Sequence, residues 1–293
     1  MKLIRYSDTM FDLVSENAAF DQLASGFGFT EGPAWCARSE RLYFTDFTCH
    51  RIYTWNRSEG VKLFREPSGR AIGLTMDAEG RLLACESQNR RISRTETDGS
   101  VTALASRFNG NRLSSPNDVI VKSDGAVYFT DPYSTAMGDT KEQPFNGVYR
   151  WNPQTGEVDV VVAEFERPNG LAFSPDERLL YINDTNKQHI KVYEVLPDGG
   201  VSNGRMFAEL DTSAGPGAAD GMKCDARGNV YVTGPGGIWI YALSGETLGR
   251  IEMPEVAANL CFGTPADSPV GTTLFITAST SVYSLQLNVC GAV

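Results

Sequence analysis

The sequence predicts an all-β fold, a six-bladed β-propeller with four antiparallel strands per blade, and three observations carry that prediction. First, one phrase recurs: a polar residue, a Gly, a short apolar strand, an Asp- or Gly-rich turn, then a second strand of β-branched and aromatic residues. Second, its six copies begin at Glu31-Gly32, Ile72-Gly73, Asn117-Asp118, Asn169-Gly170, Asp220-Gly221 and Asn259-Leu260, at the roughly 40–50-residue spacing of a propeller blade. Third, an alternating strand, Ala19-Phe20-Asp21-Gln22-Leu23-Ala24, precedes the first copy, whereas the last copy lacks an outer strand of its own.

Taken in order, residues 1–17 read as a poorly ordered lead-in and residues 18–293 as a single propeller domain. The strand at 20–24 should pair beside the last strand near 282–287, closing the ring and removing an open edge. Each blade then holds two inner strands, a third and an outer one. In the fourth copy these fall at 170–173, 179–183, 190–195 and 205–210. Asp77-Ala78-Glu79-Gly80 and Asp225-Ala226-Arg227-Gly228 supply tight turns between first and second strands. The polar stretch 134–146 reads as a loop on the face where second strands end and first strands begin.

Composition narrows the function. A formal charge of −10 and the absence of a Lys/Arg cluster argue against nucleic-acid binding. Arg90-Arg91 with Arg94 reads as a solvated strand edge. No stretch approaches a transmembrane span, and residues 1–17 hold no signal-peptide apolar run, so no membrane role is expected. The 6 cysteines are dispersed without a Cys-x-x-Cys pair. Cys36, Cys85, Cys224 and Cys261 fall in or beside strands as small core residues. A reduced cytoplasmic protein is expected, with Cys49 and Cys290 as the exceptions to watch. With only His50 and His189, a three-His zinc site is excluded. There is no Gly-x-Ser-x-Gly elbow, phosphate-binding Gly-rich loop or dinucleotide fingerprint.

The ring formed by the six opening residues is the candidate site. First strands line a propeller's channel, so Glu31, Ile72, Asn117, Asn169, Asp220 and Asn259 should converge on one axis. Hard divalent cations choose such carboxylate and carboxamide oxygens. Glu31 and Asp220 would neutralise a 2+ charge, while Asn117 and Asn169 add neutral oxygens and leave positions open. The plainer alternative is that Asn and Asp before Gly shape the turn into each inner strand.

Phe29-Thr30-Glu31-Gly32-Pro33-Ala34-Trp35, Ser115-Pro116-Asn117-Asp118, Arg167-Pro168-Asn169-Gly170-Leu171-Ala172-Phe173-Ser174-Pro175-Asp176 and Ala219-Asp220-Gly221-Met222 together resemble the regucalcin–gluconolactonase (senescence-marker-protein) family. The resemblance spans about residues 20–287. It implies one bound divalent cation, Ca2+ first and Zn2+, Mg2+, Mn2+ or Fe2+ as alternatives, and lactone hydrolysis as the activity. It further implies Glu31, Asn169 and Asp220 as ligands, Asn117 on metal or substrate, and Asp220 as the base. Ser115 stands where animal regucalcins carry an Arg, and about Thr135 where they carry a substrate-contacting Glu. Asp131-Pro132-Tyr133 resembles the bacterial gluconolactonase-like branch instead.

The expected function is therefore metal-dependent hydrolysis of a sugar (aldono-) lactone to its sugar acid, the metal polarising the carbonyl and Asp220 assisting water attack. Asn117, Asp131, Tyr133 and Asp184 are the substrate-binding candidates, with Phe29, Phe47 and Tyr133 covering the sugar's apolar side. Asp46, Asp131 and Asp184 close second strands on this face; capping neighbouring strands is an equally good reading of each. A metal-stabilised binding propeller without turnover, or a hydrolase of non-sugar lactones or esters, remains the alternative. The partner is a small lactone, and the oligomeric state is open.

Overall fold

Each copy of the phrase folds into one antiparallel meander, because short β-branched and aromatic runs separated mostly by short Gly/Asp turns pair with their sequence neighbours. The computed structural model describes residues 2–134, 141–265 and 271–292. Blade one comprises Thr30–Cys36, Arg41–Asp46, Arg51–Asn56 and Gly60–Arg65; blade two comprises Ala71–Met76, Leu82–Glu86, Arg91–Thr95 and Val101–Ala105. Blade three holds Val119–Val121, Val127–Asp131, Asn146–Trp151 and Val158–Phe165. Blade four holds Pro168–Phe173, Leu179–Asp184, His189–Val195 and Val201–Glu209, within a few residues of the expected bounds. Met222–Cys224, Val230–Gly234, Gly237–Tyr241 and Thr247–Glu252 make blade five, and Ala257–Gly263, Thr273–Ala278 and Ser281–Gln286 make three strands of blade six.

The fourth strand of blade six comes from the other end of the chain. Phe20–Ser25 pairs antiparallel with Ser281–Gln286, from Phe20↔Leu285 to Ser25↔Ser281, so the ring is closed as the sequence leads one to expect. The inner strand of each blade touches the inner strands of both its neighbours, the sixth touching the first. This is a six-bladed propeller.

Adjacent blades are stitched near the axis by side chains of the second strands. Thr45 Oγ1 donates to the Ile72 carbonyl at 3.0 Å, Thr130 Oγ1 to that of Asn169 at 2.8 Å, and Thr233 Oγ1 to that of Ala258 at 2.8 Å. In blade four Asn183 Nδ2 does the same to the Asp220 carbonyl at 2.5 Å. The approach is close enough to explain the recurring Gly. A Cβ on Gly170 would lie 2.1 Å from the Asp220 carbonyl oxygen, and one on Gly221 2.0 Å from Asn259 Oδ1. The core lies between blades: Tyr181 and Phe207 of blade four pack with Met222, Val232 and Trp239 of blade five. Cys36, Cys85, Cys224 and Cys261 are buried as expected, and Cys49 is exposed.

The reading of residues 1–17 as a poorly ordered lead-in needs correction. Lys2–Arg5 pairs with Thr247–Glu252 as a fifth strand of blade five. The single-turn helix Met10–Leu13 follows, and Met10, Leu13 and Val14 are fully buried against Tyr231, Leu248, Leu260 and Leu274. A four-residue helix has no stability of its own. Its order comes from the groove between blades five and six, which no local pattern in the sequence announces.

Blade two carries a charged hub. Glu86, 1% exposed, accepts from Ser93 Oγ at 2.5 Å, Asn89 Nδ2 at 2.6 Å, Arg91 Nε at 2.8 Å and Arg65 Nη2 at 3.1 Å. Burial works to raise its carboxyl, but these donors and the Arg65 charge outweigh that and hold it below its ordinary value of 4.5. A depressed folded-state value means stability that is fully present above about 4.3, the unfolded value, and lost as pH falls through the folded one. The wild type should therefore lose more stability below about pH 4.5 than Glu86→Gln does, measured by urea unfolding across pH; parallel curves would rule the hub out as an acid-labile element.

Candidate active site at the channel mouth

The ring residues reach one face through the blades' inner strands. There a cavity of about 210 Å³ is lined by Glu31, Ile72, Asn117, Asn169 and Asp220, the opening residues of blades one to five. Asn259 is not in its wall. It sits behind Glu31, donating from Nδ2 to Glu31 Oε2 at 3.1 Å, while the Gly32 N–H donates to the same oxygen at 2.5 Å. Both bonds leave Glu31 Oε1 available to the cavity.

Asn169 is held with equal care. Its Nδ2 donates to Thr185 Oγ1 at 2.9 Å, and that hydroxyl donates onward to the Ala219 carbonyl at 2.8 Å. The network fixes the amide orientation. Asn169 Oδ1 is thereby left buried with no hydrogen-bond partner among the described residues. Beneath the ring, Asp118 (1% exposed) keeps its Oδ2 partnerless as well.

The acids crowd one another. Burial first, then the Asp118 charge, pushes Glu31 up to about 7 against its hydrogen bonds and the Lys223 ammonium. Burial, Glu31 and Asp118 together raise Asp220 well above the ordinary carboxylate range, with Asn169 and Arg167 only partly offsetting them. A partnerless carboxamide oxygen on Asn169 and two mutually repelling carboxylates, Glu31 and Asp220, on residues that line one cavity are what a hard cation satisfies. The residues present therefore fit a divalent ion held by oxygen. Among the described residues no three His, Cys, Asp or Glu side chains gather at metal-binding distance, so such a site depends on the Asn carboxamides.

Asp131 and Asp184, expected as substrate contacts or strand caps, lie outside the cavity wall and accept backbone hydrogen bonds. Asp131 accepts the Ser114 and Ser115 N–H groups, each at 2.7 Å. Asp184 accepts those of Glu166 at 2.7 Å and Arg167 at 3.3 Å, and Asp46 those of Gly28 at 2.9 Å and Phe29 at 3.1 Å. All three cap the chain entering their own blade's first strand. Tyr133 is not in the cavity wall; Pro132 and Ser134 are, while the Lys141 ammonium lies over the Tyr133 ring at 5.9 Å. Thr135 lies outside the described residues.

Those acids nevertheless shape the site, because Phe29, Ser115 and Arg167 form its rim together with Arg70. Each rim residue stands two positions before a ring residue: Glu31, Asn117, Asn169 and Ile72 respectively. Sequence reasoning missed Arg70 and Arg167, although the constant offset would have found them. It also passed over Asp118, the acid standing where four of the six copies have Gly.

The SMP-30/Gluconolactonase/LRE-like region matches residues 29–280, nearly the whole ring. The chain belongs to that family. As a member of the SMP-30/gluconolactonase family it is 31% identical to the gluconolactonase of Zymomonas mobilis, over 99% of this chain and 87% of that one. It is 29% identical to pentonolactonase XacC of Haloferax volcanii, over 80% and 77%. A gluconolactonase structure from Xanthomonas campestris superposes with a TM-score of 0.89 at 29% identity, covering 98% of this chain and 95% of that one. A calcium-binding regucalcin from Agrobacterium tumefaciens, 20% identical with a TM-score of 0.76 over 94% and 95%, shares the family fold. Among the described residues no helix is long and apolar enough to cross a membrane.

Proposed function

We propose that this chain is a lactonase that opens a sugar lactone to the corresponding aldonic acid at the channel mouth. The observation that carries the reading is the buried, partnerless Oδ1 of Asn169, a residue that lines one cavity together with Glu31, Asn117 and Asp220. Similarity to a gluconolactonase and a pentonolactonase supplies the substrate class. Glu31, Asn169 and Asp220, with Asn117, would hold one divalent cation, Ca2+ first because every donor is oxygen. When bound, such a cation supplies Lewis acidity that stabilises negative charge growing on the lactone carbonyl oxygen.

The chain's own residues do the rest. In the reaction a water oxygen bonds to the carbonyl carbon, the ring C–O bond breaks, and one water proton ends on the released ring oxygen. Asp220 has two oxygens, so holding a cation with one leaves the other to take that proton and return it. Burial, Glu31 and Asp118 raise its proton affinity, and a bound cation would lower it again, favouring the ionised form that a base needs. Asn259 and Gly32 orient Glu31, and Thr185 orients Asn169, so little reorganisation accompanies catalysis. Phe29 and Phe47 screen one side of the cavity from water.

At about 210 Å³ the cavity is smaller than the roughly 300–1,000 Å³ of drug-sized sites, so a five- or six-carbon ring fits better than a long acyl lactone. Acid release from gluconolactone or xylonolactone should exceed that from unsubstituted δ-valerolactone by about a hundredfold or more in kcat/KM, because unpaired polar groups penalise the bare ring. Chelation should abolish it and Ca2+ restore it. Equal efficiency on the two rings would overturn the sugar-lactone assignment.

A further inference from the structure

Each inner strand repeats one register, so the channel below the ring is built in layers. One residue after the ring stand Gly32, Gly73, Asp118, Gly170, Gly221 and Leu260. Three residues after it stand Ala34, Thr75, Ile120, Ala172, Lys223 and Phe262, and all of these line a cavity of about 310 Å³ at the far end of the channel. One acid and one base therefore interrupt two layers that are otherwise uncharged: Asp118 from blade three and Lys223 from blade five.

Strand alternation fixes the direction of Lys223. Met222 and Cys224, on either side of it, pack into the core between blades four and five, so Lys223 turns to the channel. Its ammonium donates to the Met222 carbonyl at 3.0 Å, and among the described residues no carboxylate lies within ion-pair distance of it. Asp118 is 1% exposed; its Oδ1 accepts the Val119 N–H at 3.0 Å, and its Oδ2 has no hydrogen-bond partner among the described residues. Burial raises Asp118 above its ordinary value of 3.8, and the Lys223 charge leads the influences that lower it again. The same charge opposes the burial and the Asp118 repulsion that raise Glu31, and the burial that raises Cys261 of blade six. It is thus felt across the channel and up to the ring.

The remaining charges lie at the two ends. Arg70 and Arg167 stand on the upper rim, and Glu177, at the lower opening, pairs with Lys122 at 3.1 Å. Within the channel wall Lys223 is the one cation facing Glu31, Asp220 and Asp118, so it offsets Asp118 and leaves the ring two negative charges for a bound ion.

We infer that Lys223 is the built-in counter-charge of the cation site: from below the ring it offsets Asp118, and so sets how tightly, and for which ionic charge, the ring binds. This rests on the cation-site reading and adds to it. Lys223 touches neither ion nor lactone; it acts through the field it casts on the ligands.

Calorimetric titration of the chelator-stripped full chain with Ca2+ and La3+ tests the inference. Lys223→Met keeps the length of the side chain and removes its charge, so Ca2+ should bind about five- to tenfold more tightly. Asp118→Asn should weaken Ca2+ by a similar factor, and the double variant should return to within about twofold of the wild type. La3+ should gain more than Ca2+ in Lys223→Met, because the interaction scales with the charge of the ion. Lys223→Arg keeps the charge and should keep wild-type affinity, while Lys223→Gln repeats the charge loss with a different shape. A packing role for Lys223 predicts neither opposite signs nor their cancellation. A wild type that binds no Ca2+ overturns the cation-site reading and this inference with it. A wild type that binds Ca2+, with affinity unchanged or weakened in both Lys223→Met and Lys223→Gln, overturns this inference alone.

Discussion

Asp220→Asn is expected to lower kcat on a sugar lactone by about 10² to 10⁴ and to weaken cation binding in the same protein. The substitution keeps the shape of the side chain and removes both the negative charge and the proton-accepting oxygen. Burial, Glu31 and Asp118 raise the proton affinity of Asp220 in the ion-free chain, and a bound cation would restore the ionised form that can accept a proton. Asn cannot. Loss of the like charge beside it should also leave Glu31 easier to ionise, since fewer carboxylates then share the cavity. The fold should be unaffected, because the inter-blade bond at this position uses the Asp220 carbonyl, which accepts from Asn183. Steady-state acid release and calcium titration measure the two effects; wild-type turnover in the variant would remove Asp220 from the chemistry.

Deleting residues 2–25 should be the most damaging change to the fold. It removes the Phe20–Ser25 strand that completes blade six and the Lys2–Arg5 strand on blade five. It also uncovers the groove filled by Met10, Leu13 and Val14, each worth about 1.5–3 kcal/mol when fully buried. The combined loss is comparable with the roughly 5–15 kcal/mol that stabilises a typical domain, so the truncated chain should fail to fold or melt far below the intact one. Deleting only 2–14 keeps the closing strand and isolates the plug. At about 2–4 °C per kcal/mol, its melting temperature should drop by roughly 10 °C or more. A truncated chain that melts like the full one would mean that the N-terminal segment adds nothing to closure.

The propeller was legible because each blade repeats one phrase and the phrase carries its own physical reason. Gly170 and Gly221 are glycines because the next blade's carbonyl or side chain lies where a Cβ would be. That register alone places Glu31, Asn117, Asn169 and Asp220 together, and they share one cavity wall. It failed for Asn259, whose side chain turns under blade five to hold Glu31 and to accept from the Leu260 N–H, leaving the wall. Asp131 and Asp184 were ambiguous for a different reason. A carboxylate at the end of a second strand can face either the channel or the backbone entering its own blade, and only the positions of the Ser114, Ser115, Glu166 and Arg167 N–H groups decide it. The lead-in was unreadable because Met10, Leu13 and Val14 owe their order to partners more than 200 residues away in sequence, such as Tyr231 and Leu274.

The central claim is that the oxygens of Glu31, Asn169 and Asp220, with Asn117, form one cation site in which the lactone is opened. Equilibrium dialysis against calcium tests it most directly, on the wild type and on the variant with Glu31, Asn169 and Asp220 all changed to Ala, its fold checked by circular dichroism. The account predicts one tightly held ion per wild-type chain and none in the variant; a variant that still binds one ion with wild-type affinity would contradict it.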